Sequence, residues 1–172
     1  MKIICVGRNY ADHAKELGND IPDEPVIFMK PKSALLQSHT PFYYPEFSNE
    51  LHYECELVLR VCKSGKYIQE RHASNYYNGI TVGIDFIDLT PASNRKNINF
   101  TFYKNKELVQ TGNSANMIFS IDSIIAHISN YFSLNIGDLI FTGTPAGVGE
   151  CVVGDLLEAF LEKENLLTVE VK

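Results

Sequence analysis

Leu51-His52-Tyr53-Glu54-Cys55-Glu56-Leu57-Val58-Leu59-Arg60-Val61 is the stretch on which the fold turns. Its period is two. Leu51, Tyr53, Cys55, Leu57, Leu59 and Val61 fall on one face of a strand, and His52, Glu54, Glu56, Val58 and Arg60 on the other. Glu54 and Glu56 therefore point the same way. Neighbouring carboxylates repel, so such a pair needs full solvation or a cation between the two groups. Two readings stand at this point: an antiparallel strand with one wet face, or a divalent metal site.

The next clear strand, Gly79 to Phe86, sets Ile80, Val82, Ile84 and Phe86 on a core face and Gly79, Thr81, Gly83 and Asp85 on the other. That second face leaves room for a ligand or for a close backbone neighbour. After Phe86 the alternation changes phase, resuming on Ile87 and Leu89. A bulge or a break in the chain does this. Val26 to Lys30 reads as a short strand stopped by Pro31. Asn97–Tyr103 and Glu107–Gln110 read as a hairpin around Lys104-Asn105-Lys106, and Leu156–Leu161 with Leu166–Val171 as a last strand pair. Ser120 is placed to cap a helix over Ile121–Phe132, whose buried stripe is Ile121, Ile124, Ile125 and Ile128.

Near the start, the first strand leaves through Val6-Gly7-Arg8-Asn9-Tyr10. Asn9 is placed as the N-cap of a short helix running to Leu17, with Gly18 as its stop and Tyr10, Ala14 and Leu17 on its apolar side. His13 and Glu16 stand three apart and can meet on one face. A carboxylate can orient a histidine as a general base, or the two form a solvated pair. Lys30 ends its strand either solvated or facing an anion. Gly143-Thr144-Pro145-Ala146-Gly147-Val148-Gly149 can offer N–H groups to an anion, and Thr144 can hold a carboxylate. The loop lacks the Lys-Ser/Thr of a phosphate loop, which argues against nucleotide binding.

The 172 residues suit one domain, and 45% hydrophobic with 21% charged content is ordinary for a globular protein. A net charge of −6 without a basic block argues against nucleic-acid binding. No apolar run is long enough to cross a bilayer. Four cysteines without a CxxC pair, set among apolar residues, read as reduced thiols of a cytoplasmic protein.

Taken in order, Gly7-Arg8-Asn9-Tyr10-Ala11-Asp12-His13 with Glu16, Phe28-Met29-Lys30-Pro31, His52-Tyr53-Glu54-Cys55-Glu56-Leu57, Gly83-Ile84-Asp85, Met117-Ile118-Phe119-Ser120, and Gly137-Asp138 through Thr142 to Gly149 resemble the fumarylacetoacetate hydrolase family, in its short single-domain branch. The resemblance runs over nearly the whole chain. It implies an α+β, mainly β fold, a mixed β-sandwich roll with few short helices, over a single domain at 1–172. It implies a homodimer, which the aromatic-rich loop at 42–47 also favours by needing cover. It implies Mg²⁺ or Mn²⁺ (Ca²⁺ in crystals) held by Glu54, Glu56 and Asp85. His13 and Glu16 become the water-activating pair on a lid helix. Arg8, Lys30 and Thr144 come near the charged end of the substrate.

The expected activity is cleavage of a C–C bond in a small 2-oxo acid, by acylpyruvate hydrolysis or oxaloacetate decarboxylation through an enolate that the metal stabilises. An enol–keto tautomerase or isomerase needs the same enolate. One departure stands out. The family continues after its aspartate with Thr-Ala-Arg-Asp, a loop and a catalytic lysine, and here Asp85-Phe86 runs straight into Ile87-Asp88-Leu89. The expectation is a segment missing at the Phe86-Ile87 join. A true deletion would instead favour a non-catalytic protein that binds a metal and a dicarboxylate.

Overall fold

In the computed structural model the described residues are 1–36, 40–48, 50–84 and 97–172. Among them the strands are β1 (Ile3–Gly7), β2 (Val26–Lys30), β3 (His52–Tyr53), β4 (Glu56–Val61), β5 (Tyr77–Gly83), β6 (Asn99–Lys104), β7 (Glu107–Asn113), β8 (Leu139–Phe141), β9 (Gly149–Glu150), β10 (Leu156–Leu161) and β11 (Glu164–Glu170). The helices are α1 (Ala11–Glu16), α2 (Glu70–Ala73) and α3 (Ile121–Tyr131), with 3₁₀ turns at Lys32–Ala34 and Ser114–Asn116. This is the mainly β, α+β architecture expected. No described helix is long and apolar enough to cross a membrane.

One sheet runs β2-β1-β8-β4-β5, a second β11-β10-β6-β7, and β3 pairs with β9. β1 and β8 are parallel, with Ile3 opposite Leu139 and Cys5 opposite Phe141. The other pairs are antiparallel, so the first sheet is mixed. Leu57, Leu59, Ile80 and Val82 of the first sheet join Phe100, Phe102, Leu157 and Ala159 of the second in one core. The stripe of α3, Ile121, Ile124, Ile125 and Ile128, closes it. Each buried isoleucine contributes about 1.5–3 kcal/mol of transfer free energy. The Ser120 hydroxyl caps α3 by accepting from Ser123 N at 3.2 Å. The hairpin turn is Asn105-Lys106, both at positive φ (52° and 70°), as a two-residue turn with the strand twist requires.

Three expectations change. The face of β4 that reads as wet is dry in part: Val58 is fully buried, with Ile3, Cys5, Leu139 and Phe141, under Leu35. Asn9 is not the cap of α1, whose N-cap is Tyr10 with no side-chain hydrogen bond. Leu17 lies outside the core, 52% exposed beyond the helix end.

Candidate active site

The decisive stretch is not one strand but two. After Tyr53 the chain leaves the ladder, and it re-enters at Glu56. The backbone of Cys55, fully buried in the gap, is satisfied by side chains. Its N–H donates to Gln110 Oε1 (3.0 Å), and its carbonyl accepts from the Thr144 hydroxyl (2.8 Å). Left unpaired, each of these groups would cost about 1–3 kcal/mol. The interruption is therefore built in. It sets Glu54 at the exposed surface and Glu56 5% exposed, with one oxygen of Glu56 accepting from Gly143 N at 2.7 Å.

The glycine-rich segment does offer its N–H groups to anions, and the anions are the chain's own carboxylates. Gly143 N holds Glu56, and Gly147 N donates to both oxygens of Glu16 at 3.2 Å. Both glycines sit at positive φ, 98° and 97°. A Cβ on Gly143 would lie 2.8 Å from Asn9 Cβ, and one on Gly147 would lie 2.1 Å from Val109 O. Only glycine fits either place. Thr142 anchors the start of the loop, its N–H and hydroxyl both donating to Leu57 O at 3.0 Å.

The loop faces the corner between β1 and α1. Arg8 turns the chain there at φ 55°. Asn9, fully buried, clamps the corner to two other segments: its Nδ2 donates to Thr142 O (2.8 Å) and Phe119 O (3.1 Å), and its Oδ1 accepts from Phe119 N (2.7 Å). His13 is buried, with Nδ1 3.4 Å from Glu16 Oε2. That is a loose contact by hydrogen-bond standards. Among the described residues the buried Tyr10 hydroxyl has no hydrogen-bond partner. Burial raises its pKa, and the negative charge of Glu56 adds to the effect. Burial likewise pushes the Cys55 thiol up, and Glu56 adds to that.

One loop thus gathers Glu16, Glu56 and Thr144, and Glu16 brings His13. Thr144 is itself buried, its hydroxyl bonded to Cys55 and to Gln110 Nε2 at 2.8 Å. Lys30 ends β2, its backbone paired with Ile3 at the start of β1. Asp85 and the join at 86–87 lie outside the described residues. Glu54, exposed, and Glu56, buried and oriented by a backbone N–H, flank the strand break, and carboxylate oxygens are the hard donors that Mg²⁺ and Mn²⁺ take. Among the described residues no three His, Cys, Asp or Glu side chains cluster. Sequence reasoning missed Asn9 as a clamp and Gln110 altogether. A glutamine carries no motif, and its partners come from distant segments.

Residues 2–89 and 88–172 both match the family model described as Fumarylacetoacetate (FAA) hydrolase C-terminal. The chain belongs to the fumarylacetoacetate hydrolase family. An oxaloacetate decarboxylase, mitochondrial, of Dictyostelium discoideum is 35% identical over 189 residues, covering 91% of this chain and 87% of its own. The mitochondrial oxaloacetate tautomerase FAHD1 of Mus musculus is 34% identical over 201 residues, covering 99% of this chain and 91% of its own. Fumarylpyruvate hydrolase from Pseudomonas aeruginosa, crystallised with Mn²⁺ and pyruvate, superposes with a TM-score of 0.89 at 28% identity, covering 99% of this chain and 89% of its own. These fumarylacetoacetate hydrolase relatives are enzymes. The sequence alignments, at 189 and 201 residues, are longer than this chain, so the relatives carry residues with no counterpart in it. The two family-model matches meet at residues 88–89.

Proposed function

We infer that this protein is a divalent-metal-dependent enzyme that cleaves a C–C bond in a small 2-oxo acid, by acylpyruvate hydrolysis or oxaloacetate decarboxylation. The observation that carries the reading is the glycine loop holding both Glu56 and Glu16 by backbone N–H groups, with His13 against Glu16. Glu54 and Glu56, with Asp85, would hold Mg²⁺ or Mn²⁺, which supplies a Lewis acid for the 2-oxo acid and for the negative charge that C–C cleavage leaves on it. Glu16 orients the His13 ring through Nδ1. His13 takes a proton from water, and the hydroxide attacks the distal carbonyl of an acylpyruvate. The C–C bond then breaks, its electron pair passing into the pyruvate enolate, and a proton completes pyruvate. With oxaloacetate no water is needed, since loss of CO₂ yields the same enolate. Gly147 N, donating to both oxygens of Glu16, holds that carboxylate in place. Arg8 at the α1 corner, Thr144 on the loop and Lys30 at the end of β2 are assigned to the substrate's charged end.

A second reading is supported by the relative named as a tautomerase: the same His13–Glu16 pair can move a proton between the enol and keto forms of oxaloacetate. A third, a non-catalytic binder of a metal and a dicarboxylate, draws on the relatives' extra residues and the meeting of the family matches at 88–89, where the expected lysine is missing. One assay separates the three. The protein with Mg²⁺ or Mn²⁺ is mixed with acetylpyruvate and oxaloacetate, and enol absorbance and CO₂ are followed. Glu56→Gln should abolish metal-dependent turnover and weaken Mn²⁺ binding by at least about tenfold while the protein stays folded. Full turnover by Glu56→Gln would refute the metal role. Enol loss without CO₂ or hydrolysis products selects the tautomerase, and no turnover with Mn²⁺ bound selects the binder.

A further inference from the structure

Gln110 stands outside the reaction derived above, and its chemistry is decided by what it joins. Its side chain is 1% exposed. A buried primary amide has two N–H hydrogens and an acceptor oxygen to satisfy. All are satisfied: Nε2 donates to the Thr144 hydroxyl (2.8 Å) and to Pro145 O (2.9 Å), and Oε1 accepts from Cys55 N (3.0 Å). The amide cannot be turned over, because Cys55 N is only a donor and Pro145 O only an acceptor. The preceding residue adds a steric seat, since the Val109 carbonyl fills the space where any Cβ on Gly147 would lie. β7 therefore grips the glycine loop at Thr144, Pro145 and Gly147. The same side chain grips the strand break at Cys55, between Glu54 and Glu56. On either side of these grips, Gly143 N holds Glu56 and Gly147 N holds Glu16.

We propose that Gln110 is the positioning residue that fixes the His13–Glu16 pair relative to Glu56, by locking the glycine loop to the strand break. It touches no substrate and moves no proton. Its consequence for turnover rests on the reading under Proposed function, but its effect on the loop does not.

The test uses the full chain with Gln110→Met, which keeps the volume and removes all three hydrogen bonds, and Gln110→Glu, which keeps the acceptor for Cys55. Amide hydrogen exchange is read over residues 143–147, with α3 as the internal reference. In Gln110→Met, exchange over 143–147 quickens at least about tenfold over wild type while α3 is unchanged. In Gln110→Glu, a protonated carboxyl regains one O–H donor. The excess exchange over wild type at the same pH therefore shrinks between about pH 7 and pH 5, and for the Met variant it does not. On any 2-oxo acid that the wild type turns over, Gln110→Met loses kcat by about tenfold or more with KM little changed. Wild-type exchange at 143–147 in Gln110→Met would overturn the proposal. Equal quickening of α3 would also overturn it, by making Gln110 a general stabiliser. A wild type that turns over no 2-oxo acid would end the functional reading, and the exchange result would still decide Gln110.

Discussion

Replacing Asn9 by leucine tests whether the β1–α1 corner is held by one side chain. Leucine has nearly the outline of asparagine, so it fills the fully buried site and keeps water out. It removes the bonds to Thr142 O, Phe119 O and Phe119 N. The orphaned Phe119 N–H costs about 1–3 kcal/mol, and each carbonyl, retaining its other lone pair, about 0.5–1. Added apolar burial offsets about 1 kcal/mol. The net loss is about 1–4 kcal/mol. For a chain of this size each kcal/mol lowers Tm by about 2–4 °C, so the melt should shift down by roughly 2–16 °C. Thermal unfolding followed by circular dichroism, with urea midpoints as a second measure, reads this directly. A shift under about 2 °C, with an unchanged urea slope, would refute the clamp and the reasoning that assigns it.

Other outcomes follow from the same geometry. Gly147→Ala places a methyl against Val109 O at a φ that alanine avoids, and should lower stability by about 2 kcal/mol or more; a wild-type urea midpoint would contradict this. Burial alone would raise the Asp138 pKa, but hydrogen bonds from Lys2 and Asn135 and the Lys2 charge outweigh it and hold the group below its ordinary value. A depressed folded-state pKa means stability present above about pH 4–5 and lost as pH falls through the folded value. Asp138→Asn should therefore flatten the acid limb of a stability–pH profile, and an unchanged limb would exclude Asp138 as its source. Tyr43 and Phe47, 70% and 91% exposed, need cover, so light scattering at micromolar concentration should give twice the 19.4 kDa chain mass; a monomer mass would count against a homodimer.

Local features were legible in the sequence. The α3 stripe with its Ser120 cap and the Asn105-Lys106 turn rest on neighbours within a few residues, so periodicity and turn chemistry reach them. His13 and Glu16 meet for the same reason. What failed was non-local. Val58 is dry because Leu35, from a loop, covers it, and no alternation shows a cover. Asn9 reads as a cap because its type caps helices, but its partners sit at Phe119 and Thr142. The N–H groups of the glycine loop were foreseen as anion holders, and only the structure gives the anions as Glu16 and Glu56.

The parallel pairing of β1 with β8 has a consequence for synthesis. Lys2 and Asp138, whose contact locks that pairing, are 136 positions apart. β1 can zip onto β2 soon after leaving the ribosome, but its other edge waits until β8 has been made. At ~5–20 residues per second that wait lasts many seconds. Throughout it the apolar edge formed by Ile3, Ile4, Cys5 and Val6 stays open to other unfinished chains. Sheets closed by such distant pairings fold slowly once complete. Yield during expression should therefore depend on temperature and chaperones more steeply than the stability of the finished protein does.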